Sequence, residues 1–220
     1  IAAAYAWQKP SGAPPLEARA LPRLPPGPSG FGAFYTRLRY HEGWDASWRV
    51  ADEPDVVVRF DQAPYWFAFW RGTSYIPHWV TENGIWYDNE FAETFPPGMV
   101  GSAEPMSDKQ CRYSHVRILE SSDARAVVHW RYAPIGVGYR PAYPDPLTYW
   151  ADSTDEIHTV YPDGVGVRKI VVHSSLPDAK RERSRGCLPA AGGGRLLQGG
   201  CDVQRRAAGR GAGDLQPGRI

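Results

Sequence analysis

The chain lacks the features that mark two large classes of protein. It has no excess of one charge, since 25 Lys and Arg stand against 24 Asp and Glu and give a formal net charge of +1. Such a balance creates no strong field toward nucleic acid or an anionic membrane surface. No apolar run approaches the roughly 20 residues that a transmembrane helix needs. We therefore predict neither nucleic acid nor a membrane as a partner.

Cysteine is also scarce, and the common catalytic motifs are missing. The three cysteines, Cys111, Cys187 and Cys201, form neither a CxxC pair nor a Cys/His pattern with the spacing of zinc ligands. The sequence contains no HExxH, GxSxG, P-loop or dinucleotide fingerprint. We predict no metal site, and leave both the redox compartment and any cofactor unknown.

Glycine, proline and aromatic residues are abundant and favour strands over helices. The chain has 23 Gly, 21 Pro, 9 Trp and 12 Tyr. Nine segments show strand periodicity or apolar strand composition, bounded by turn residues: Phe31–Tyr40, Asp55–Phe60, Tyr65–Trp70, Ile76–Val80, Ile85–Tyr87, Arg112–Leu119, Arg125–Tyr132, Glu156–Tyr161 and Val165–His173. The pattern predicts an all-β fold, an antiparallel β-sandwich of the large kind seen in mutarotase-like and lyase domains.

Composition divides the chain into three parts. Residues 1–30 are a Pro-rich lead-in, residues 31–175 form the predicted β-sandwich domain, and residues 176–220 form a tail with ten Gly and eight Arg. All 28 aromatic residues precede the tail. The tail is either a disordered Arg/Gly segment of the RNA-binding type or out-of-frame translation of a GC-rich gene. Its acidic residues and missing aromatics favour the second interpretation, under which the domain is a truncated fragment.

The densest aromatic block runs from Tyr65 to Phe91. Its first strand, Tyr65–Trp70, is a continuous apolar run, which predicts burial on both faces. Asn83-Gly84 predicts a hairpin further along. Candidate sugar-binding residues here are Arg71, His78, Trp79, Glu82, Asn83, Trp86 and Tyr87, with Trp79, Trp86 and Tyr87 as a stacking platform. The alternative interpretation is a Trp-rich core with a polar rim.

A second candidate site lies on two later strands. Alternation places Tyr113, His115 and Arg117 on one face of the first strand, and His129 and Arg131 on one face of the second. If Glu120 pairs with Ala124, then His115 faces His129 and the five residues share one sheet face. If the loop is one residue longer, His115 faces Trp130 and the cluster dissolves.

Tyr, His and Arg on an open sheet face suit β-elimination of a uronate polysaccharide. Arg would stabilise the sugar carboxylate, and His or Tyr would remove the adjacent ring proton. Lys109 and Arg112 would help to hold the polyanion. The alternative is that these are ordinary polar residues on the solvent-facing side of an antiparallel sheet.

The segments WRGTSYIPHWVTENGIWYDNEF, EPMSDKQCRYSHVRILES and YPDGVGVRKIVVHSS carry a family resemblance. Over residues 31–175 the chain resembles secreted β-rich proteins that environmental bacteria encode among polysaccharide-degradation genes, near ulvan-type and other uronate lyases. The resemblance implies an extracellular or periplasmic setting and a glycan ligand, and it transfers no site residue. The first hypothesis is that the protein binds an acidic polysaccharide and, if it is an enzyme, cleaves that polysaccharide by β-elimination. The competing hypothesis is a non-catalytic carbohydrate-binding or structural sandwich.

Overall fold

A computed structural model describes residues 21–38 and 54–174. The first 20 residues of the lead-in lie outside the described residues, and so does the whole tail. From the spacing of Trp44 and Trp48 the sequence also predicts a short helical turn, which lies outside them as well. The described part of the lead-in has no regular structure before β1. The Arg59 guanidinium donates hydrogen bonds to the carbonyl oxygens of Pro25, Gly27 and Pro28, which hold this segment against the domain.

The first sheet is an antiparallel meander of five strands in chain order. Its strands are β1 (Gly32–Thr36), β2 (Asp55–Arg59), β3 (Trp66–Phe69), β4 (Pro77–Val80) and β5 (Trp86–Asp88). The β4–β5 hairpin turns over Glu82 and Asn83, with Gly84 in the left-handed region at a φ of 73°. The predicted Asn83-Gly84 hairpin is therefore confirmed.

The second sheet contains four antiparallel strands, again in chain order. They are β6 (His115–Ser121), β7 (Ala126–Tyr132), β8 (Ser153–Val160) and β9 (Gly166–His173). The β8–β9 turn has Gly164 at a φ of 83°, and its N–H donates to the Tyr161 carbonyl oxygen. This left-handed glycine is the one that Pro162-Asp163-Gly164 predicts.

The two sheets pack face to face, and this packing confirms the all-β prediction. The described residues contain no α-helix, only two 3-10 turns at Arg71–Thr73 and Pro105–Ser107. All nine strands overlap segments predicted from the sequence. The main core between the sheets joins side chains of β2 and β3 to those of β7, including Val56, Val58, Phe67, Phe69, Val128 and Trp130.

The first sheet is buried on its second face as well. Val57, Trp66 and Ala68 point away from the main core into a smaller apolar cluster with Leu38 and Trp70. Every residue of β3 is buried, which confirms the prediction from its unbroken apolar run. The second sheet differs because its strands alternate between buried and more exposed residues. Its outer face therefore carries polar and charged side chains that are open to solvent.

Candidate functional site

The outer face of the second sheet carries most of the residues that the sequence predicts as catalytic. His115 lies opposite Arg131, and Arg117 lies opposite His129. The expected pairing of His115 with His129 is wrong by two residues, and the alternative pairing with Trp130 is wrong by one. Because a shift of two residues keeps side chains on the same face, the shared face predicted for these four residues is still found.

A β-bulge decides this outcome. The four-residue turn 122–125 pairs Ser121 with Ala126, and this register extended along β6 would place Arg117 opposite Trp130. Leu119 is the extra residue between Ile118 and Glu120, and it shifts the register by one. The bulge thereby brings Arg117 opposite His129.

Asp155 on β8 is the centre of the cluster, and the sequence analysis missed it. Its carboxylate accepts hydrogen bonds from Nε2 of His129 at 2.6 Å and Nε2 of His173 at 2.8 Å. Arg131 lies 3.4 Å from its second oxygen. On the other side of His129, Arg117 donates from Nε to Nδ1 at 3.0 Å. Each of the four strands β6 to β9 therefore contributes at least one side chain to this network.

A sequence signal for Asp155 and His173 did exist. Predicting β8 from Glu156 leaves Asp155 in a loop, whereas the strand begins at Ser153. Extending the β8–β9 hairpin back from Gly164 pairs Ser153 with His173. The separate pairing of β7 with β8 places Asp155 opposite Arg131. An opposite-charge pair across adjacent strands is a favourable combination that marks this register.

The network fixes the charge state of its central groups. Partial burial acts to raise the pKa of Asp155, but the hydrogen bond from His129, the charge of Arg131 and the hydrogen bond from His173 together hold it below its usual value. Since Arg117 is always protonated, Nδ1 of His129 must accept, and Nε2 carries the proton toward Asp155. His129 therefore has no unshared lone pair with which to act as a base.

Tyr113 and His115 lie where β6 begins. Tyr113 precedes the strand, its N–H donates to Asp108, and its ring lies 6.2 Å from that of Tyr139. The Arg112 guanidinium lies over the same Tyr139 ring at 5.9 Å. His115 is exposed at the end of β6, and Lys109 is partly exposed in the turn before it. Of these residues, strand pairing places only His115 beside Arg131, and the predicted pairing of Tyr113 with Arg131 is wrong because β6 begins two residues later.

The predicted sugar-binding residues of the first sheet need correction. Arg71 is buried and forms an ion pair with Asp55, and its guanidinium also donates to the Leu38 carbonyl oxygen. His78 is buried, with Nδ1 2.6 Å from the Ile76 carbonyl oxygen, and burial lowers its pKa. Because both side chains are buried, neither lines a surface open to solvent. Both instead stabilise the interior around β2, β3 and β4.

The predicted stacking platform is also not formed. Trp79 packs inward, with ring centroids 4.7 Å from Phe67 and 5.7 Å from Phe60. Trp86 packs against Trp66 at 5.2 Å and against Trp70 at 5.3 Å. Of the three aromatic residues only Tyr87 is exposed, together with Glu82 and Asn83 at the hairpin tip. The alternative interpretation, a Trp-rich core with a polar rim, describes this sheet.

A second polar network lies inside the sandwich and was not predicted. Glu156 is fully buried and accepts two 2.7 Å hydrogen bonds from Arg168. Tyr132 donates to the same carboxylate at 2.8 Å, and Nε2 of His158 lies 3.1 Å from it. Burial opposes ionisation of Glu156, but the hydrogen bonds from His158 and Arg168 outweigh it and lower its pKa. The network satisfies a buried charge and stabilises the packing of β7, β8 and β9.

Neither network provides an evident metal site. Within residues 21–38 and 54–174, no group of three or more His, Cys, Asp or Glu side chains has an arrangement that could hold a metal ion. In the same part of the chain, no helix is both long and apolar enough to span a membrane. In comparisons with known proteins, no family model, no curated protein and no solved structure matches this chain.

Proposed function

We propose that the outer face of the second sheet binds an acidic, uronate-containing polysaccharide. The observation that carries the proposal is the charge of this face, which we call the cationic face. It comprises His115, Arg117, His129, Arg131, Asp155, Lys169 and His173. Two carboxylates lie among the described outward-facing residues of the four strands. Asp155 accepts hydrogen bonds from two histidines and lies beside Arg131, whereas Glu120, opposite Val127 near the turn end of β6, is paired with Arg125.

The arrangement of the arginines suits a polymer of carboxylates. Arg117 and Arg131 lie on adjacent strands at diagonal positions, which places them about 7–8 Å apart at Cα. Both are exposed, and Arg117 uses Nε for His129, so its terminal nitrogens face outward. A guanidinium binds a carboxylate through two parallel hydrogen bonds. Two such groups on a flat face can hold neighbouring uronates of one chain.

The geometry favours binding over cleavage. β-Elimination needs a base beside the arginines, and the lone pair of His129 is occupied by Arg117. The remaining candidates are His115, which lies opposite Arg131, and Tyr113, which precedes it by two residues in the chain. A non-catalytic carbohydrate-binding sandwich is therefore the form of the proposal that we favour. We also propose that the sandwich is of the large lyase-like kind and that the protein acts in an extracellular or periplasmic setting.

The test is the affinity for uronate polymers, with a neutral glucan as the ligand control. The double variant Arg117→Met/Arg131→Met should lose roughly a hundredfold or more in affinity, because each of the two charge-assisted contacts contributes about 1.5–3 kcal/mol. Arg125→Met is the matched control, since Arg125 is an exposed arginine at the opposite end of the β6–β7 hairpin, paired with Glu120. Failure of the wild-type protein to bind any uronate polymer would overturn the proposal.

The same samples separate binding from cleavage. β-Elimination produces an unsaturated sugar, which is followed by its ultraviolet absorbance. Binding without absorbance supports the non-catalytic form. Absorbance that disappears in His115→Ala would instead establish a lyase with His115 at the reacting centre.

A further inference from the structure

The loop of residues 145–150, here called the aromatic loop, exposes three large apolar side chains. Leu147 is 88% exposed, Tyr149 is 82% exposed and Trp150 is 73% exposed. These values contrast with Trp130 and Tyr132, which are fully buried a short distance earlier in the chain. Single exposed apolar residues are ordinary, but three within four residues form a patch that marks a binding surface.

The aromatic loop is held in one conformation by its own hydrogen bonds. The Asp145 carboxylate accepts the N–H groups of Leu147 and Thr148, both at 2.9 Å. The Asp145 N–H donates to the Trp150 carbonyl oxygen at 2.7 Å, and the Tyr149 N–H donates to the Asp145 carbonyl oxygen at 2.8 Å. The exposed rings are thus presented by a closed turn, so little backbone entropy is lost when a ligand binds.

Tyr149 adopts a backbone conformation that disfavours its side chain. Its φ is 60°, a region that Gly or Asn occupies at lower cost than an aromatic residue. A buried ring would offset such a cost by its packing, but this ring is mostly exposed. Non-glycine residues in this region concentrate at ligand-binding positions. The strain at Tyr149 therefore points to a use for the ring outside the fold.

The aromatic loop precedes the end of β8 at which His173, Asp155 and Arg131 of the cationic face lie. β8 begins at Ser153, three residues after Trp150, and this distance is at most about 10 Å along the chain. Ser153 pairs with His173, and Asp155 pairs with Arg131. Three residues of chain therefore connect the rings to the sheet end at which His173, Asp155 and Arg131 lie.

We propose that the aromatic loop is a stacking platform for sugar rings of the same acidic polysaccharide whose carboxylates bind the cationic face. This inference rests on the function proposed above. The ring faces of sugars carry C–H groups that pack on aromatic rings, while their carboxylates lie at the ring edge. The loop's one carboxylate, Asp145, is already bonded to two backbone N–H groups, so it does not repel a polyanion strongly.

The variants for the test are Trp150→Ala and Tyr149→Gly in the full chain. Glycine tolerates the positive φ, so Tyr149→Gly removes the ring and keeps the turn. Tyr87→Ala is the matched control, because Tyr87 is an exposed tyrosine on β5 of the other sheet. Affinity for polygalacturonate is measured over a series of salt concentrations, together with the tryptophan emission of each variant.

We expect Trp150→Ala and Tyr149→Gly each to weaken binding roughly tenfold. Since neither variant removes a charge, the dependence of affinity on salt should stay as in the wild type, whereas Arg117→Met/Arg131→Met should reduce it. Polygalacturonate should change the tryptophan emission of the wild type, and this change should be lost in Trp150→Ala.

Wild-type affinity in both loop variants, beside weakened binding in the arginine variant, would overturn the platform and leave the proposed function standing. Absence of polygalacturonate binding by the wild type would overturn both. Binding of the wild type to neutral phosphatidylcholine vesicles that depends on Trp150, without any effect of Trp150→Ala on polygalacturonate, would assign the loop to a lipid surface and overturn the platform.

Discussion

Arg117 donates from Nε to Nδ1 of His129 across the β6–β7 pair at 3.0 Å, and this contact settles which nitrogen of the imidazole carries the proton. With Nδ1 accepting, the proton lies on Nε2 and is directed at Asp155, 2.6 Å away. A cation, a neutral imidazole and a carboxylate therefore follow one another across three strands. Such a chain orients side chains and leaves the outward nitrogens of Arg117 for a ligand.

The first prediction concerns this tautomer. At pH 7 the ¹⁵N chemical shifts of His129 should show protonated Nε2 and unprotonated Nδ1. Arg117→Met removes the donor at similar side-chain length, and Nδ1 of His129 is then no longer held as the acceptor, so the two neutral tautomers should both appear. Arg125→Met, which removes an arginine outside the network, should leave the His129 shifts unchanged. A wild-type spectrum with Nδ1 protonated would contradict the hydrogen-bond assignment.

The second prediction is the contribution of Asp155 to acid stability. Its folded pKa lies below the unfolded value of about 3.9, so the contribution is complete above that pH and is lost as pH falls through the folded pKa. Asp155→Asn should therefore be less stable than the wild type at pH 7, and the difference should shrink below about pH 4. Urea unfolding at pH 7 and pH 3 measures both values. A difference that does not change between these pH values would contradict the assigned direction.

The third prediction concerns two buried histidines, His78 and His158. Burial is the main cause that lowers the pKa of each. As pH falls below about 6.5, the unfolded chain binds protons that the folded protein does not, so the free energy of unfolding decreases toward pH 5. Each histidine contributes a slope of at most about 1.4 kcal/mol per pH unit.

His78→Asn and His158→Gln provide the check on these slopes. Asn and Gln retain the donor that each imidazole directs at its partner, Ile76 or Glu156, and neither titrates. Each variant should flatten the dependence of stability on pH between 7 and 5, and the double variant should flatten it further. Slopes equal to the wild-type slope in all three variants would show that these imidazoles bind protons equally in the folded and unfolded chain, which would contradict a lowered pKa.

The fourth prediction concerns the buried Glu156–Arg168 pair. Glu156→Gln keeps the volume but leaves Arg168 without its charged partner, so we expect a loss of about 3 kcal/mol in the free energy of unfolding. The double variant Glu156→Gln/Arg168→Gln should recover part of this loss, because the guanidinium charge is removed together with the carboxylate. Glu120→Gln, which breaks the exposed pair with Arg125, should leave the unfolding midpoint within error. Equal midpoints for Glu156→Gln and the wild type would contradict a buried ionised pair.

The positions of the strands could be read from the sequence because the signals are local. Alternation and β-branched runs mark each strand, and glycines at left-handed positions mark the β4–β5 and β8–β9 turns. Burial of both faces of β3 followed from its unbroken apolar run. The site could be predicted in part. Alternation alone shows which residues of a strand share a face, as Arg117 does with His115 and His129 does with Arg131.

The tertiary structure decided the rest, because register and exposure depend on what each strand packs against. A single extra residue at Leu119 sets whether Arg117 meets His129 or Trp130, since side chains alternate with a period of two. Asp155 and His173 were not predicted as part of the cluster, because the predicted strand began at Glu156 whereas β8 begins at Ser153. Trp79 and Trp150 are the same residue type, yet one is packed between two sheets and the other lies in solvent. The sequence by itself determined where strands and turns form, and the packing of the two sheets determined which side chains remain available to a ligand.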